Sequence, residues 1–132
     1  MNLKDFYFQD KAMIGDKMEI LLPDGSPSGE WLNVVSPDAD VAVKAGRAFL
    51  FAYQAKISEL EDVKEDKTKY ALLLNDACED LNRQLALEIV NGWSFDEPFT
   101  REAMAELLRQ YGALGAMVSN FQAEQRKKLQ EK

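Results

Sequence analysis

Side chains able to carry out catalysis are scarce in this sequence. It contains no histidine, the residue that most often serves as a general base near neutral pH and that most often ligates metals. Its single cysteine, Cys78, has no neighbouring base to activate it and no second cysteine with which to form an intrachain disulfide. Glycine-rich phosphate loops and the Gly-x-Ser-x-Gly elbow of hydrolases do not occur. The sequence therefore predicts a protein that is not an enzyme and needs no cofactor.

Carboxylates alone can bind Mg²⁺ or Ca²⁺ or cleave glycosides, so the acidic clusters need their own assessment. The densest cluster, residues 59–69, alternates acids with lysines that neutralise part of its field, and it forms either a solvated helical extension or an exposed connection. Asp38 and Asp40 are better explained as acids at the positive end of a helix dipole. We therefore expect no metal site, and a metal-dependent hydrolase built on carboxylates ranks last among the possible functions.

The charge balance restricts the partners. The 16 Lys and Arg residues against 23 Asp and Glu give a net charge of −7, which repels the phosphates of nucleic acids and anionic lipids. No apolar run is long enough to cross a membrane, and the first residues lack the basic-then-apolar order of a signal peptide. We expect a cytoplasmic protein that binds neither nucleic acid nor membrane.

Two strands are the first regular elements that the sequence predicts. Residues 17–22 and 30–35 are apolar, partly alternating runs, and the loop between them is rich in Pro, Gly, Ser and Asp. Alternation of this kind is typical of strands, and the loop composition is typical of a turn. The pattern predicts a β-hairpin. Residues 1–15 show no clear period, and we assign them no structure.

Two long helices should follow the hairpin. The first is predicted over residues 37–60, with Ser36 as its cap. Its predicted buried stripe recurs at three- and four-residue steps and consists of Val41, Ala45, Ala48, Phe49, Ala52 and Tyr53. The second, over residues 70–89, should pack antiparallel to the first. It ends near Asn91-Gly92, a pair suited to the left-handed conformation that closes helices.

Two shorter helices complete the predicted fold. Thr100 is a good cap for a helix over residues 101–111, and a last helix should cover about residues 113–129. The fold class is therefore mainly α (α+β): an N-terminal β-hairpin followed by about four helices, two of them long and packed antiparallel. Residues 1–132 should form a single domain whose ends, 1–15 and 125–132, are mobile.

Three aromatic residues and a proline lie close together between the second and third helices, at Trp93, Phe95, Pro98 and Phe99. Burial preferences favour aromatics that fill the corner where two helices meet. A partner contact is the alternative, and the two interpretations can coexist. Either way, residues 92–100 predict a helix stop, a corner and a new helix start.

The same segment resembles a known family. The order Gly92-Trp93, a short spacer and Pro98-Phe99-Thr100 opening an acidic helix is similar to the tail assembly chaperones of long-tailed, lambda-like bacteriophages. Other positions that carry the resemblance are Asp24-Gly25, Trp31-Leu32-Asn33-Val34, Ser36-Pro37, Leu107-Leu108, Tyr111 and Phe121. It covers residues 17–121, and the spacer before Pro98 is shorter than in many members.

The resemblance implies a non-enzymatic role in virion morphogenesis, in the cytoplasm of the bacterial host. Members of this family coat the long, aggregation-prone tape measure protein so that tail tube subunits can polymerise around it, and they are not expected in the finished tail. The resemblance also implies a longer, frameshift-extended form of the protein. Lys127-Lys128 is compatible with a slippery codon pair. Self-association into a homo-oligomer along an extended partner would multiply weak contacts.

Aromatic and apolar side chains are the candidates for these protein contacts. They lie near the N-terminus, on the hairpin and in the corner segment, at Phe6, Tyr7, Phe8, Trp31, Val34, Trp93, Phe95 and Phe99. The alternative function is a small acidic bacterial adaptor or regulator that binds another protein through the same apolar helical surfaces.

Overall fold

The computed structural model describes residues 1–7 and 9–130. Ahead of the hairpin, where the sequence shows no period, it has a short 3-10 helix, Leu3–Phe6, and a helix α1, Gln9–Ile14. Ala12 of α1 is fully buried, and its carbonyl accepts a hydrogen bond from the Ser36 amide at 2.8 Å. The start of the chain therefore packs onto the core.

The predicted hairpin is confirmed as strands β1, Asp16–Leu21, and β2, Pro27–Val34, which pair antiparallel. Met18 and Ile20 face the core while Lys17, Glu19 and Leu21 are exposed, as expected for a strand with one face in solvent. In the connecting turn, Gly25 has a φ of 89°, a left-handed conformation that glycine adopts without steric cost.

A third strand, β3, Val90–Trp93, pairs antiparallel with β2 and gives a sheet of order β1-β2-β3. The prediction that Asn91-Gly92 closes the preceding helix in a left-handed conformation is wrong. Gly92 lies opposite Asn33 in the sheet, and positive φ among the described glycines occurs at Gly15, Gly25 and Gly29. The free edge of β2 offers hydrogen bonds that outweigh the local turn preference of Asn-Gly.

The two long helices form an antiparallel hairpin of α2, Asp40–Glu59, and α3, Lys67–Ile89. Residues 60–66 connect them through a 3-10 helix, Glu61–Val63. Of the two predictions for this charged run, an exposed connection is therefore correct and a helical extension is not. The side chain of Asp66 caps α3 by accepting a hydrogen bond from the Lys69 amide at 3.1 Å.

Helix α2 begins three residues later than the sequence predicts. The Ala39 amide donates to the Ser36 carbonyl at 3.0 Å, so residues 36–39 make a separate turn, and Ala39 has the extended conformation of an N-cap. Ser36 accepts at its hydroxyl from the Asp38 amide at 3.3 Å instead of capping the helix. Pro37 is buried in this turn rather than opening the first helical turn.

The buried stripe of α2 is also rotated from the predicted one. Ala42, outside the predicted stripe, is buried with Ala45, whereas Ala48, inside it, is exposed. The other predicted members, Val41, Phe49, Ala52 and Tyr53, are half-buried. Apolar residues occur on every side of α2, so their spacing alone does not select the side that meets α3.

Two further helices pack against the core end of the α2–α3 hairpin. They are α4, Arg101–Gln110, and α5, Leu114–Gln130. The Thr100 cap is confirmed, since its hydroxyl accepts from the Ala103 amide at 3.0 Å. The core that these elements enclose comprises Ala12, Met18, Ile20, Leu32, Val34, Val35, Ala39, Ala42, Ala45, Ala86, Ile89, Val90, Met104, Leu108, Leu114 and Val118. The α+β fold class is confirmed.

The α2–α3 hairpin extends beyond this core. Among the described residues, those numbered 46–80, which we call the distal arm, contribute nothing to the central core cluster. Leu60 is buried separately at the tip. The sheet, α4 and α5 therefore form a packed base, and the distal arm is held by contacts within the helical hairpin.

Candidate protein-binding surfaces

The corner aromatics meet in one cluster centred on Trp93. Its ring lies 5.3 Å from Phe95 and 5.0 Å from Phe99, with interplanar angles of 86° and 81°. Such edge-to-face contacts add to the stabilisation from burial. The indole Nε1 donates to the Glu97 carbonyl at 2.8 Å and closes the loop on itself. All three rings are half-buried.

Backbone and side-chain hydrogen bonds attach this corner to strand β2 of the β-hairpin. The Ser94 amide donates to the Trp31 carbonyl at 3.0 Å, and the Ser94 hydroxyl accepts from the Trp31 amide at 2.8 Å. Arg101 at the start of α4 forms an ion pair with Glu88 of α3 at 2.6 Å. The corner is therefore held by β2 on one side and by α3 on the other.

A shallow apolar groove of about 310 Å³ runs beside the corner. Its lining combines Trp93 and Phe95 with three α4 residues and a loop acid: Glu97, Ala103, Glu106 and Leu107. Hydrogen bonds from Arg109 and Gln110 lower the pKa of Glu106 to about 2, which keeps its carboxylate charged. The geometry thus combines a packed corner with an accessible groove, so both sequence interpretations keep physical support.

The hairpin candidates separate onto opposite faces of β2. Val34 is 1% exposed and belongs to the core, so it presents nothing to a partner in this conformation. Trp31 is half-buried, and the Lys17 ammonium lies 4.5 Å from its ring centroid, within cation–π range. Of the two candidates on this strand, only Trp31 is accessible.

The N-terminal candidates are only partly placed. Tyr7 is 64% exposed, and the backbone of Phe6 ends the 3-10 helix Leu3–Phe6. Phe8 lies outside the described residues. The N-terminal candidates therefore lie apart in the chain from the corner cluster, and among the residues described no hydrogen bond or ring contact joins Tyr7 to it.

Sequence reasoning missed the exposed side of α2, which carries large apolar residues. Leu50 is 59% exposed and Phe51 is 81% exposed, and Val43 lies on the same side of the helix. On α3, Leu72 is 61% exposed. The signal was the run Phe49-Leu50-Phe51, because consecutive helix residues point in different directions and cannot all meet one neighbouring helix.

No cluster of three or more His, Cys, Asp or Glu side chains among the described residues could hold a metal ion. A second groove of about 390 Å³, between α2 and α3, is lined at its charged end by Lys44, Glu88 and Arg101, of which the last two are already paired. Over the same residues, no helix is both long and apolar enough to span a bilayer.

Exposed apolar helix faces of this kind are typical of proteins that dock onto other proteins. The sequence model of a family described as phage tail assembly chaperone matches residues 41–130, which is more than half of the chain. The chain therefore belongs to the phage tail assembly chaperone family. Comparisons with curated proteins and with solved structures found no match.

The family match confirms the resemblance and covers the corner and the exposed apolar residues of α2 and α3, but not Tyr7 or Trp31. It runs from the start of α2 through the corner and both C-terminal helices. The β1–β2 hairpin lies before the matched range. A chaperone for tail assembly acts on a protein partner, and this favours the family function over a bacterial adaptor or a hydrolase.

Proposed function

We propose that this protein binds the tape measure protein and keeps it soluble during tail assembly, in the cytoplasm of the host, and that it is absent from the mature virion. One observation supports this most directly. A member of the tail assembly chaperone family exposes Leu50 and Phe51 on one long helix and Leu72 on the other. Large apolar residues that a protein leaves in water are the usual means of holding an apolar client.

The charge of the chain suits this role. A tape measure protein is long and helical, and its apolar stripes associate with one another when they are not covered. A bound chaperone with a net charge of −7 would cover those stripes and add mutual repulsion between complexes. Burial of apolar surface supplies the affinity, and the charge keeps the complex dispersed.

Self-association and a second gene product are part of the proposal. Copies that bind side by side along an extended client would strengthen each other's binding, since each bound copy raises the effective concentration of the next. Lys127 lies in the last turns of α5, so a frameshift at Lys127-Lys128 would extend the chain from that helix. A gene without a slippery heptamer and an overlapping downstream frame at these codons would exclude the extended form.

Co-expression with the tape measure protein of the same genome tests the proposal. We expect the client to move from the insoluble to the soluble fraction and to elute together with the chaperone. The double variant Leu50→Ala/Phe51→Ala should lose this effect. A matched control, Leu21→Ala/Leu22→Ala, removes two exposed apolar side chains from the hairpin and should retain it.

Two results would contradict the proposed function. The first is an insoluble tape measure protein in the presence of the chaperone. The second is a soluble client that never forms a complex with it. Loss of binding in both double variants would show a general loss of apolar surface rather than a role for α2.

A further inference from the structure

We propose that the exposed face of α2 is a docking site for an amphipathic helix whose apolar stripe is flanked by acidic residues. We call this surface the α2 face and define it by Val43, Lys44, Arg47, Leu50 and Phe51. This proposal depends on the proposed function only for the identity of the protein that carries the helix. The chemistry of the docking site follows from the residues of α2.

The five residues share one side of the helix because they recur at three-, four- and seven-residue steps. Arg47 lies at the centre, one turn after Val43 and one turn before Leu50 and Phe51. All five are exposed, and the spacing matches the anchor positions by which one amphipathic helix recognises another. The α2 face thus combines an apolar stripe with two cations.

The two cations have no carboxylate partner in the described part of the chain. Arg83, Arg101 and Arg109 each form an ion pair, whereas neither Lys44 nor Arg47 forms one. A partner's carboxylates could pair with them without breaking an existing contact. Apolar contacts that exclude water would strengthen such pairs, since charges attract more strongly at lower dielectric.

The α2 face also opposes the charge of the whole molecule. The net charge is −7, and the exposed residues of α3 include Asp76, Glu79 and Asp80. Local complementarity at the α2 face favours an acidic helix, while the net charge favours a basic one. The two effects predict opposite preferences. The charge of the helix that binds more tightly therefore shows which effect dominates.

A second copy of the chain is a weaker candidate for this occupant. Its most obvious acidic helix side is that of α3, where Arg83 already lies 3.4 Å from Asp80 and 3.7 Å from Glu79. These internal pairs reduce the charge that α3 could offer to Arg47 of another copy. The geometry therefore favours an acidic helix from a different protein.

Two designed peptides of roughly 18 residues, about five helical turns, provide the probe. Both have leucines at the spacing of a helical stripe, and they differ only in Glu or Lys at the flanking positions. Fluorescence anisotropy with the full chain measures both affinities. We expect the Glu-flanked peptide to bind at least tenfold more tightly than the Lys-flanked one, with the preference decreasing at high salt. Equal binding or tighter binding of the Lys-flanked peptide would overturn the proposal.

Charge reversal on the α2 face locates the binding site. Lys44→Glu/Arg47→Glu should weaken binding of the Glu-flanked peptide about tenfold or more. The matched control Lys67→Glu/Lys69→Glu makes the same change in net charge at the far end of α3 and should have little effect. Equal weakening by both pairs would show a response to net charge and overturn the assignment.

Phe51→Ala separates binding from folding, because an 81% exposed side chain contributes little to the stability of the free protein. It should weaken peptide binding about tenfold and leave the unfolding midpoint unchanged. Light scattering on the α2-face variants is the second readout. A change of oligomeric state without peptide would assign the face to a second copy and overturn the proposal, as would binding of anionic phosphatidylglycerol vesicles in place of the peptide. Peptide binding without a tape measure complex would refute the proposed function and leave this inference intact.

Discussion

The Asn33 side chain donates a hydrogen bond of 2.6 Å to the side-chain oxygen of Asn91, across the β2–β3 pair. Each amide also reaches the end of α1: Asn33 donates to the Ile14 carbonyl and Asn91 to the Met13 carbonyl, both at 2.7 Å. The side chains of Asn33 and Asn91 therefore attach α1 to β2 and to β3, the strand that the sequence does not predict.

Replacing Asn91 with alanine should destabilise the protein by about 1–2 kcal/mol, because it removes two hydrogen bonds: the one that Asn91 accepts from Asn33 and the one that it donates to the Met13 carbonyl. Amide hydrogen exchange should also accelerate in α1. Urea denaturation with exchange detected by mass spectrometry measures both effects. Asn75→Ala, on the exposed side of α3, serves as the control and should leave exchange in α1 unchanged. Unchanged exchange in α1 would contradict the attachment described above.

Gly15 allows the chain to pass close to β2. Its φ is 60°, and a Cβ at this position would lie 2.0 Å from the Val34 carbonyl oxygen. Gly15→Ala should cost about 3 kcal/mol or more, since backbone atoms must move and the conformation itself disfavours a side chain. Gly46→Ala, in the open middle of α2, should stabilise by about 0.5–1 kcal/mol. Urea midpoints of the two variants should therefore shift in opposite directions.

Phe99→Ala tests the two interpretations of the corner. The ring packs 5.0 Å from Trp93 and joins the partly buried residues around the core, so its loss should cost about 2–3 kcal/mol. Tryptophan fluorescence during urea unfolding measures this cost. Normal stability together with lost client binding would instead identify Phe99 as a contact residue.

Glu106 should contribute to stability only above acidic pH. Hydrogen bonds from Arg109 and Gln110 lower its pKa to about 2 from a model-compound value of 4.5, so the folded form binds its proton less readily than the unfolded form. The contribution is present above about pH 4.5 and is lost as pH falls towards 2. Melting temperatures of the wild type and of Glu106→Gln should therefore converge as the pH falls from 5 to about 2. A constant difference would contradict this.

Local signals account for the elements that the sequence predicts well. The turn around Gly25 and the Thr100 cap are each determined by a few neighbouring residues, and both are found where the spacing predicts them. Strand β3 is different, because only the free edge of β2 makes Asn91-Gly92 extended. Helix α1 likewise depends on distant partners, as the Ala12 to Ser36 hydrogen bond shows.

The candidate surfaces also differ in whether neighbouring residues or distant contacts determine them. The clustering of Trp93, Phe95 and Phe99 is predictable because seven residues hold all three. The α2 face is not, since the rotation of a helix that is apolar on every side is set by what it packs against. Leu50 and Phe51 become visible as surface residues only when α3 is in place.

The distal arm has a thermodynamic consequence for client release. Because its residues add nothing to the central core cluster, opening this part of the hairpin leaves the contacts of the base intact. Elements with few core contacts open at lower free energy than the molecule as a whole. We therefore expect the arm to fray and re-form while the sheet, α4 and α5 stay folded. If the proposed client binds there, it could dissociate when the arm frays, without unfolding of the sheet, α4 or α5.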